Sequence, residues 1–344
     1  MSCETAVLRA TVISRIVLGI CIALSLNIVA ASACIENGTP LPRFYEKILR
    51  HCETLYRRKL PLDKITGEIV SPVERVAHYR KYKELYKQYD RDCFFKWDNL
   101  RCYTASFLKE NVGAIFEVGN PRPFCTAFRL TTDIIMTAGH CADGISSGAV
   151  LRLYGHPLVE IKIGAGIVVP QDLSSLSDLH DFALYRLVNP STASAWNFQT
   201  FSRDVTSRQA IFIVAPSLIS DEAFDSNALI DNWLKQVRFS RAPSNQIWLP
   251  SEMHDHPVEA GPAREECLFH QNSTFTGMSG APIIASTRPS VLGGVPTFHV
   301  IGIHLRNGFG RTSDCGQHYP YNVGIKIPAS VLDAIFPVQA NGQR

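Results

Sequence analysis

Two short strings and one aspartate hold the residues of this chain that suit covalent chemistry. The first string is Thr137-Ala138-Gly139-His140-Cys141. The second is Thr276-Gly277-Met278-Ser279-Gly280-Ala281-Pro282. A serine hydroxyl is a weak nucleophile at neutral pH and needs an adjacent base to take its proton. Histidine serves as that base when a third group, normally a buried carboxylate, holds its ring. Asp181, in His180-Asp181-Phe182-Ala183-Leu184, lies between the two strings. The glycines matter as much as the serine. Gly277 can place its N–H beside that of Ser279, and such a pair of donors stabilises an oxyanion. Gly280 leaves room for a tight turn after the nucleophile. Singly, each feature also fits something plainer: a Ser-Gly turn, a core histidine, an aspartate cap. Together they are the parts of acyl transfer to a serine.

Chain order narrows the choice. The sequence runs His140, Asp181, Ser279, and triads of different folds differ in this order. The chain here resembles the trypsin-like serine proteases of the chymotrypsin fold, over about residues 109 to 337. Asp181 follows His140 by 41 residues and Ser279 follows Asp181 by 98. Both gaps suit that family, in which one barrel supplies the histidine and aspartate and the other the serine. The resemblance implies two six-stranded antiparallel β-barrels. It also implies a disulfide between Cys125 and Cys141, looping behind the histidine. Cys267 and Cys315 both fall in the expected second barrel and are expected to pair. The implied roles are nucleophile for Ser279, general base and acid for His140, ring orientation for Asp181, and oxyanion donation from Gly277 and Ser279.

The resemblance departs from the digestive trypsins at one place. Those enzymes carry an aspartate just before the serine, which receives the new amino terminus after activation. This chain has Met278, and a thioether cannot pair with an ammonium group. The glutamyl endopeptidase branch also lacks that aspartate. Two further positions resemble that branch: Thr274, five residues before Ser279, and His304 in Val300-Ile301-Gly302-Ile303-His304. A hydroxyl and an imidazole N–H both donate to a carboxylate or amide oxygen. The implied preference is cleavage after Glu or Gln, responding to mildly acidic pH if His304 keeps an ordinary pKa near about 6.5. The plainer reading of His304 is a packed strand histidine. Asn272-Ser273-Thr274 is a glycosylation sequon, expected to be buried and unmodified so close to the pocket. Asn37 is the better acceptor.

The elements that must position these groups read as short strands after residue 109. Val112 to Val118, Ala127 to Leu130, Ile134 to Thr137 and Val150 to Tyr154 are apolar runs broken by turn residues. More follow at Ile161 to Val169, Phe182 to Leu187, Ile211 to Ala215, Pro282 to Ala285, Phe298 to His304 and Val323 to Ile327. Many short strands with turn signals read as a barrel or sandwich. Residues 34 to 108 read differently. Phe44, Ile48, Cys52 and Leu55, and then Val73, Val76, Tyr79, Tyr82, Leu85 and Tyr89, recur at helical spacing. Ser71-Pro72-Val73-Glu74 is a capping box with proline at the first helical position. This segment holds 15 Lys and Arg against 10 Asp and Glu, a net of +5, whereas residues 109 to 344 carry 17 against 20, a net of −3. A helical pro-region or accessory segment that docks on the catalytic domain is expected, although two solvated basic helices explain the same charges.

Residues 1 to 33 read as a signal peptide. Arg9 and Arg15 precede an uncharged run from Ile16 to Ile35 that contains Ala31-Ser32-Ala33, a small-x-small cleavage pattern. Cleavage after Ala33 is expected, with an uncleaved signal anchor or lipidation at Cys34 as alternatives. Removing Cys3 and Cys21 with the signal leaves eight cysteines, an even number that reads as a disulfide framework in an exported chain. Cys34, Cys52, Cys93 and Cys102 precede the catalytic segment and can pair among themselves. The formal charge of +3 is too small to argue for nucleic acid, and no zinc-ligand spacing or phosphate loop occurs. His254 and His256 read as a polar loop. The expectation is a secreted, extracellular or periplasmic serine endopeptidase. It acts on protein or peptide substrates, with no metal, no cofactor, no nucleic-acid partner and no stable membrane association. The oligomeric state is left open. The competing expectation is an inactive homologue that keeps the fold as a binding module.

Overall fold

The computed structural model describes residues 94–96, 108, 110–119, 123–156, 158–190, 200–207, 209, 211–216, 237–240, 246–253, 265–272, 274, 277–287, 297–306, 314–316 and 321–336. The signal segment, the helices read at 44–55 and 73–89, Cys34, Cys52, Cys93, Cys102, Asn37, His254 and His256 lie outside these residues.

Six strands close the first barrel: β2 (Val112–Glu117), β3 (Pro123–Arg129), β4 (Ile134–Thr137), β5 (Ala149–Leu153), β6 (Ile161–Val168) and β7 (Ala183–Leu187). Their order is β2-β3-β4-β7-β6-β5, and the described pairings are antiparallel. Closure removes the free edges that an open sheet would present. Val112, Ala114, Phe116, Phe128, Ile135, Met136, Leu151 and Leu153 are buried in it. Arg129 is buried with them, and its guanidinium donates to the carbonyls of Glu110, Thr131 and Thr132. Three carbonyls replace the water that the cation lost, which is what a buried charge requires.

The second barrel is an eight-stranded sheet in the order β1-β9-β8-β12-β13-β14-β11-β10. Its strands are β1 (Phe94–Lys96), β8 (Ile211–Pro216), β9 (Val237–Ser240), β10 (Ile247–Trp248), β11 (Cys267–His270), β12 (Pro282–Thr287), β13 (Thr297–Arg306) and β14 (Asn322–Lys326). β9 and β10 stand toward opposite ends of that order yet are separated only by residues 241–246. The sheet therefore curls back on itself into a nearly closed barrel. Two short helices, α1 (Ala142–Ser146) and α2 (Ala329–Ile335), and three 3-10 turns are also described. Among the described residues no helix is long and apolar enough to cross a membrane.

The two antiparallel barrels match the fold class read from the sequence. Four strands of the second barrel were not legible in advance. β11 is buried at all four positions, so it lacks the alternation that marks a half-buried strand. β9 carries Arg238 in a four-residue strand, and β10 is two residues long. Within the segment read as helical, β1 is extended and pairs antiparallel with β9, Phe95 opposite Phe239.

β9 has β8 on one side and β1 on the other. Removing residues 1 to 108 would expose the outer N–H and C=O groups of β9 as a free edge, a template for intermolecular pairing. Residues 109 to 344 expressed alone should therefore give a several-fold lower soluble yield and a lower midpoint of thermal unfolding than the longer chain. Equal yield and midpoint would show that β1 contributes nothing to the barrel.

Candidate active site

His140, Asp181 and Ser279 each sit on a turn next to a strand. β4 ends at Thr137, and Gly139–Cys141 then form a 3-10 turn that carries His140 at the surface. Asp181 follows a second 3-10 turn, Asp178–His180, just before β7. The two turns meet closely because Gly139 has no side chain. A Cβ there would lie 2.8 Å from Pro170 Cγ, 2.9 Å from the Phe182 nitrogen and 3.1 Å from the Asp181 carbonyl carbon.

The Asp181 carboxylate holds His140 from two directions. Oδ1 accepts the His140 backbone N–H at 2.8 Å. The ring Nδ1 lies 3.0 Å from Oδ1 and 2.8 Å from Oδ2. The Asp181 side chain is 9% exposed and that of His140 is 40% exposed. One group is thus fixed in the protein while the other reaches solvent. With Nδ1 donating to the carboxylate, Nε2 is the nitrogen that carries the lone pair; that tautomer is assigned from the bonding pattern.

Ser279 sits on a turn between β11 and β12. Met278 is buried before it, and Gly280 follows with a φ of +88°. The turn is tied in three ways within its own barrel. Ala281 N–H donates to Met278 O at 2.9 Å, Gly280 N–H to His304 O at 2.8 Å, and His304 N–H to Ala281 O at 2.8 Å. It also meets the first barrel. Thr126 N–H donates to Ser279 O at 2.8 Å, and the Thr126 hydroxyl donates to Gly277 O at 2.8 Å. A Cβ on Gly280 would overlap the Thr126 carbonyl and the Thr137 hydroxyl and lie 2.9 Å from Ala138 N. The serine turn therefore lies against the chain two residues before His140. The Ser279 hydroxyl itself donates to Leu305 O at 3.1 Å. Leu305 falls where the β13–β14 register shifts, between His304 and Arg306, so its carbonyl stands apart from the ladder.

A second inter-barrel tie was missed by sequence reasoning. Asp178, three residues before Asp181, is buried and accepts both Nε and an Nη of Arg306 at 2.8 Å. Cys315 N–H adds a third bond at 3.1 Å. Asp178 is thus engaged by β13 and does not serve the histidine. Nothing in its sequence neighbourhood marks this pairing, because the partner is 128 residues away.

His304 is buried on β13, and its Nδ1 lies 3.1 Å from Nε2 of His270 on β11. Burial, then the neighbouring His140 and Arg306, push the His304 pKa down to about 3. Burial and His304 push His270 well below its usual value too. The expected response of His304 to mildly acidic pH is therefore overturned: the ring is neutral there. Among the described residues no hydrogen bond joins Thr274, which is buried, to His304. Asn272 of the sequon is buried, as expected. Disulfides join Cys125 to Cys141 and Cys267 to Cys315. Donor atoms of Cys125, His140 and Cys141 lie within 4.8 Å of one another, but those two sulfurs are bonded to each other and do not form a metal site.

The sequence matches the trypsin family over residues 109–335. No curated protein sequence matches the chain. Among solved structures it is similar to neuropsin, a serine protease expressed in the limbic system of mouse brain. The identity is 17%, the match covers 64% of this chain and 90% of that one, and the TM-score is 0.43. It is also similar to kallikrein-related peptidase 10, in a complex with Zn2+ and in a second structure. Each of those shows 14% identity over 66% of this chain and 95% of that one, with a TM-score of 0.43.

The two buried histidines set a pH dependence of stability. Their folded-state pKa values lie below the unfolded value of about 6.5. As pH falls below about 6.5 the unfolded chain takes up protons that the folded pair refuses. Stability is then complete above that pH and is lost below it, by up to about 1.4 kcal/mol per pH unit for each histidine. Denaturant midpoints at pH 7, 5.5 and 4.5 should fall, and less steeply in His304→Gln. Parallel slopes in the two proteins would show that His304 titrates normally.

Proposed function

This chain belongs to the trypsin family, and we propose that it is a secreted serine endopeptidase working through His140, Asp181 and Ser279. The observation that carries the reading is the two-point hold of Asp181 on His140, beside a serine on a glycine-flanked turn. A backbone bond and a ring bond to one carboxylate leave the imidazole little freedom. The energy of imidazolium formation is lowered by the same carboxylate.

The steps follow from the parts. The Ser279 hydroxyl turns from Leu305 O to His140 Nε2, a rotation about its Cα–Cβ bond. Its oxygen attacks the scissile carbonyl carbon while its proton passes to Nε2. The carbonyl oxygen becomes an oxyanion facing the Gly277 and Ser279 N–H groups. The neighbouring N–H groups of Gly280 and Ala281 are already spent on His304 O and Met278 O. Collapse breaks the C–N bond, and the imidazolium returns its proton to the leaving amine. Water then repeats the sequence on the acyl-enzyme, and the serine is regenerated.

Cleavage after Glu or Gln is the proposed specificity, with His304 as a neutral imidazole donor and the Thr274 hydroxyl as a second donor. The support is positional. Gly280 N–H to His304 O and His304 N–H to Ala281 O fix that histidine one strand away from the nucleophile. Export is proposed from the signal pattern of residues 1 to 33 and is supported by the disulfides. Residues 34 to 108 are proposed as a pro-region or accessory segment. The competing reading, an inert binding module, draws on the Ser279–Leu305 bond.

Peptide hydrolysis by the oxidised, signal-processed chain tests the proposal. Ser279→Ala, His140→Ala and Asp181→Asn should each lose roughly 10⁴ or more in kcat. A folded wild type with no hydrolysis favours the binding module. On a mixed peptide library, cleavage after Glu or Gln should dominate. His304→Leu should cut it by roughly 10- to 150-fold relative to cleavage after apolar residues. Because His304 titrates only near about 3, the preference should stay flat from about pH 5 to 8. Dominant cleavage after Arg, Lys or large apolar residues would remove the pocket reading and leave the triad intact.

A further inference from the structure

We propose that Thr126 is a positioning residue for the oxyanion-binding turn, a role that rests on the serine-protease reading above. Three observations converge on this one side chain. It lies on β3 of the first barrel, fully buried, next to the disulfide at Cys125. Its hydroxyl donates to Gly277 O at 2.8 Å and its N–H to Ser279 O at 2.8 Å. Its own carbonyl accepts the Thr137 hydroxyl at 2.8 Å and lies where a Cβ on Gly280 would overlap it. One residue of the first barrel thus bonds to positions 277 and 279 of the second and packs closely beside 280.

The geometry says what this grip does. The peptide unit is planar and trans, so its C=O and N–H point opposite ways. Met278 O turns to Ala281 N–H, which aims the Ser279 N–H of the same unit away from Ala281. Gly277 adopts a φ of +95°, a conformation that glycine enters freely and also leaves freely. Nothing intrinsic to Gly277 keeps it there. The Thr126 hydroxyl holds the Gly277 carbonyl and so fixes the 277–278 peptide unit, and the Thr126 N–H holds the Ser279 carbonyl and fixes the 279–280 unit. The peptide plane that follows each oxyanion donor is thereby clamped, which limits the rotation open to residues 277 and 279. Stabilising an oxyanion needs donors aimed before the charge develops. A hydroxyl at 126 supplies that aim without touching substrate, and a residue without one would leave the backbone bond to Ser279 alone.

The test separates alignment from folding. Thr126→Val keeps the branched shape and the backbone N–H and removes the hydroxyl. The full chain, wild type and variant, is titrated with an active-site serine reagent so that rates are per competent site. Thr126→Val should show kcat about 10-fold lower, KM within about 2-fold, and binding of a peptide aldehyde weakened by about the same factor as kcat. The aldehyde forms a tetrahedral oxyanion at the serine, so its affinity reads the donors directly. Thr126→Ser restores the hydroxyl and should recover most of the loss. If Thr126→Val does not fold, Thr126→Ala carries the same comparison. Unchanged kcat per titrated site and unchanged aldehyde affinity overturn the Thr126 role while leaving the triad standing. A wild type that neither titrates nor cleaves overturns the serine-protease reading and this role with it.

Discussion

Gly280 has no Cβ, and that allows the two barrels to meet where the candidate site lies. The serine turn belongs to the second barrel, and His140 and Asp181 to the first. Any side chain at 280 would collide with the Thr126 carbonyl and the Thr137 hydroxyl, pushing the barrels apart by the width of a methyl group. The φ of +88° adds a second reason for glycine, since a Cβ in that region costs roughly 1–2 kcal/mol. Packed interiors transmit such a displacement instead of absorbing it. Groups that must meet within hydrogen-bond distance are then placed by a seam of backbone contacts, not by their own side-chain reach.

The seam is reinforced by polar groups that differ in how they tolerate burial. Asp178 and Arg306 are charged, and their pairing is bidentate with a further N–H on the carboxylate. That arrangement offsets the desolvation cost, which a single contact would not. Breaking it by removing one partner would leave the other charge uncompensated at the joint between the barrels. His270 and His304 meet the same problem by giving up charge. Burial is the main cause for both, with His304 opposing a charge on His270 and the neighbouring His140 and Arg306 opposing one on His304. Neutrality also spares His140, because a cation at His304 would oppose an imidazolium at His140.

Sequence carries the candidate site where its parts are local. His140 is bracketed by a turn glycine and a half-cystine, and Ser279 by two glycines, so short strings display them. The strands of the first barrel are legible because apolar runs alternate with turn residues. What the sequence hides is non-local. The Asp178–Arg306 pair spans 128 residues and the Thr126–Gly277 bond 151, and no periodicity links such positions. β11 hides because both of its faces are covered. The state of His304 hides for the same reason: an imidazole's pKa is set by burial and neighbouring cations, which a linear string does not show. Thr126 was within reach, as a hydroxyl beside a half-cystine, but only its partner at Gly277 gives it meaning.

The most direct measurement is covalent labelling of the native chain with a fluorophosphonate, followed by mass mapping of the modified peptide. This reagent reacts with a serine whose proton is taken by a neighbouring base and whose oxyanion is stabilised. A single adduct on Ser279, absent in folded Ser279→Ala and strongly slowed in His140→Ala, is the expected result. A folded, disulfide-bonded chain that takes no label, or labels at another serine, would contradict the assignment of Ser279 and His140.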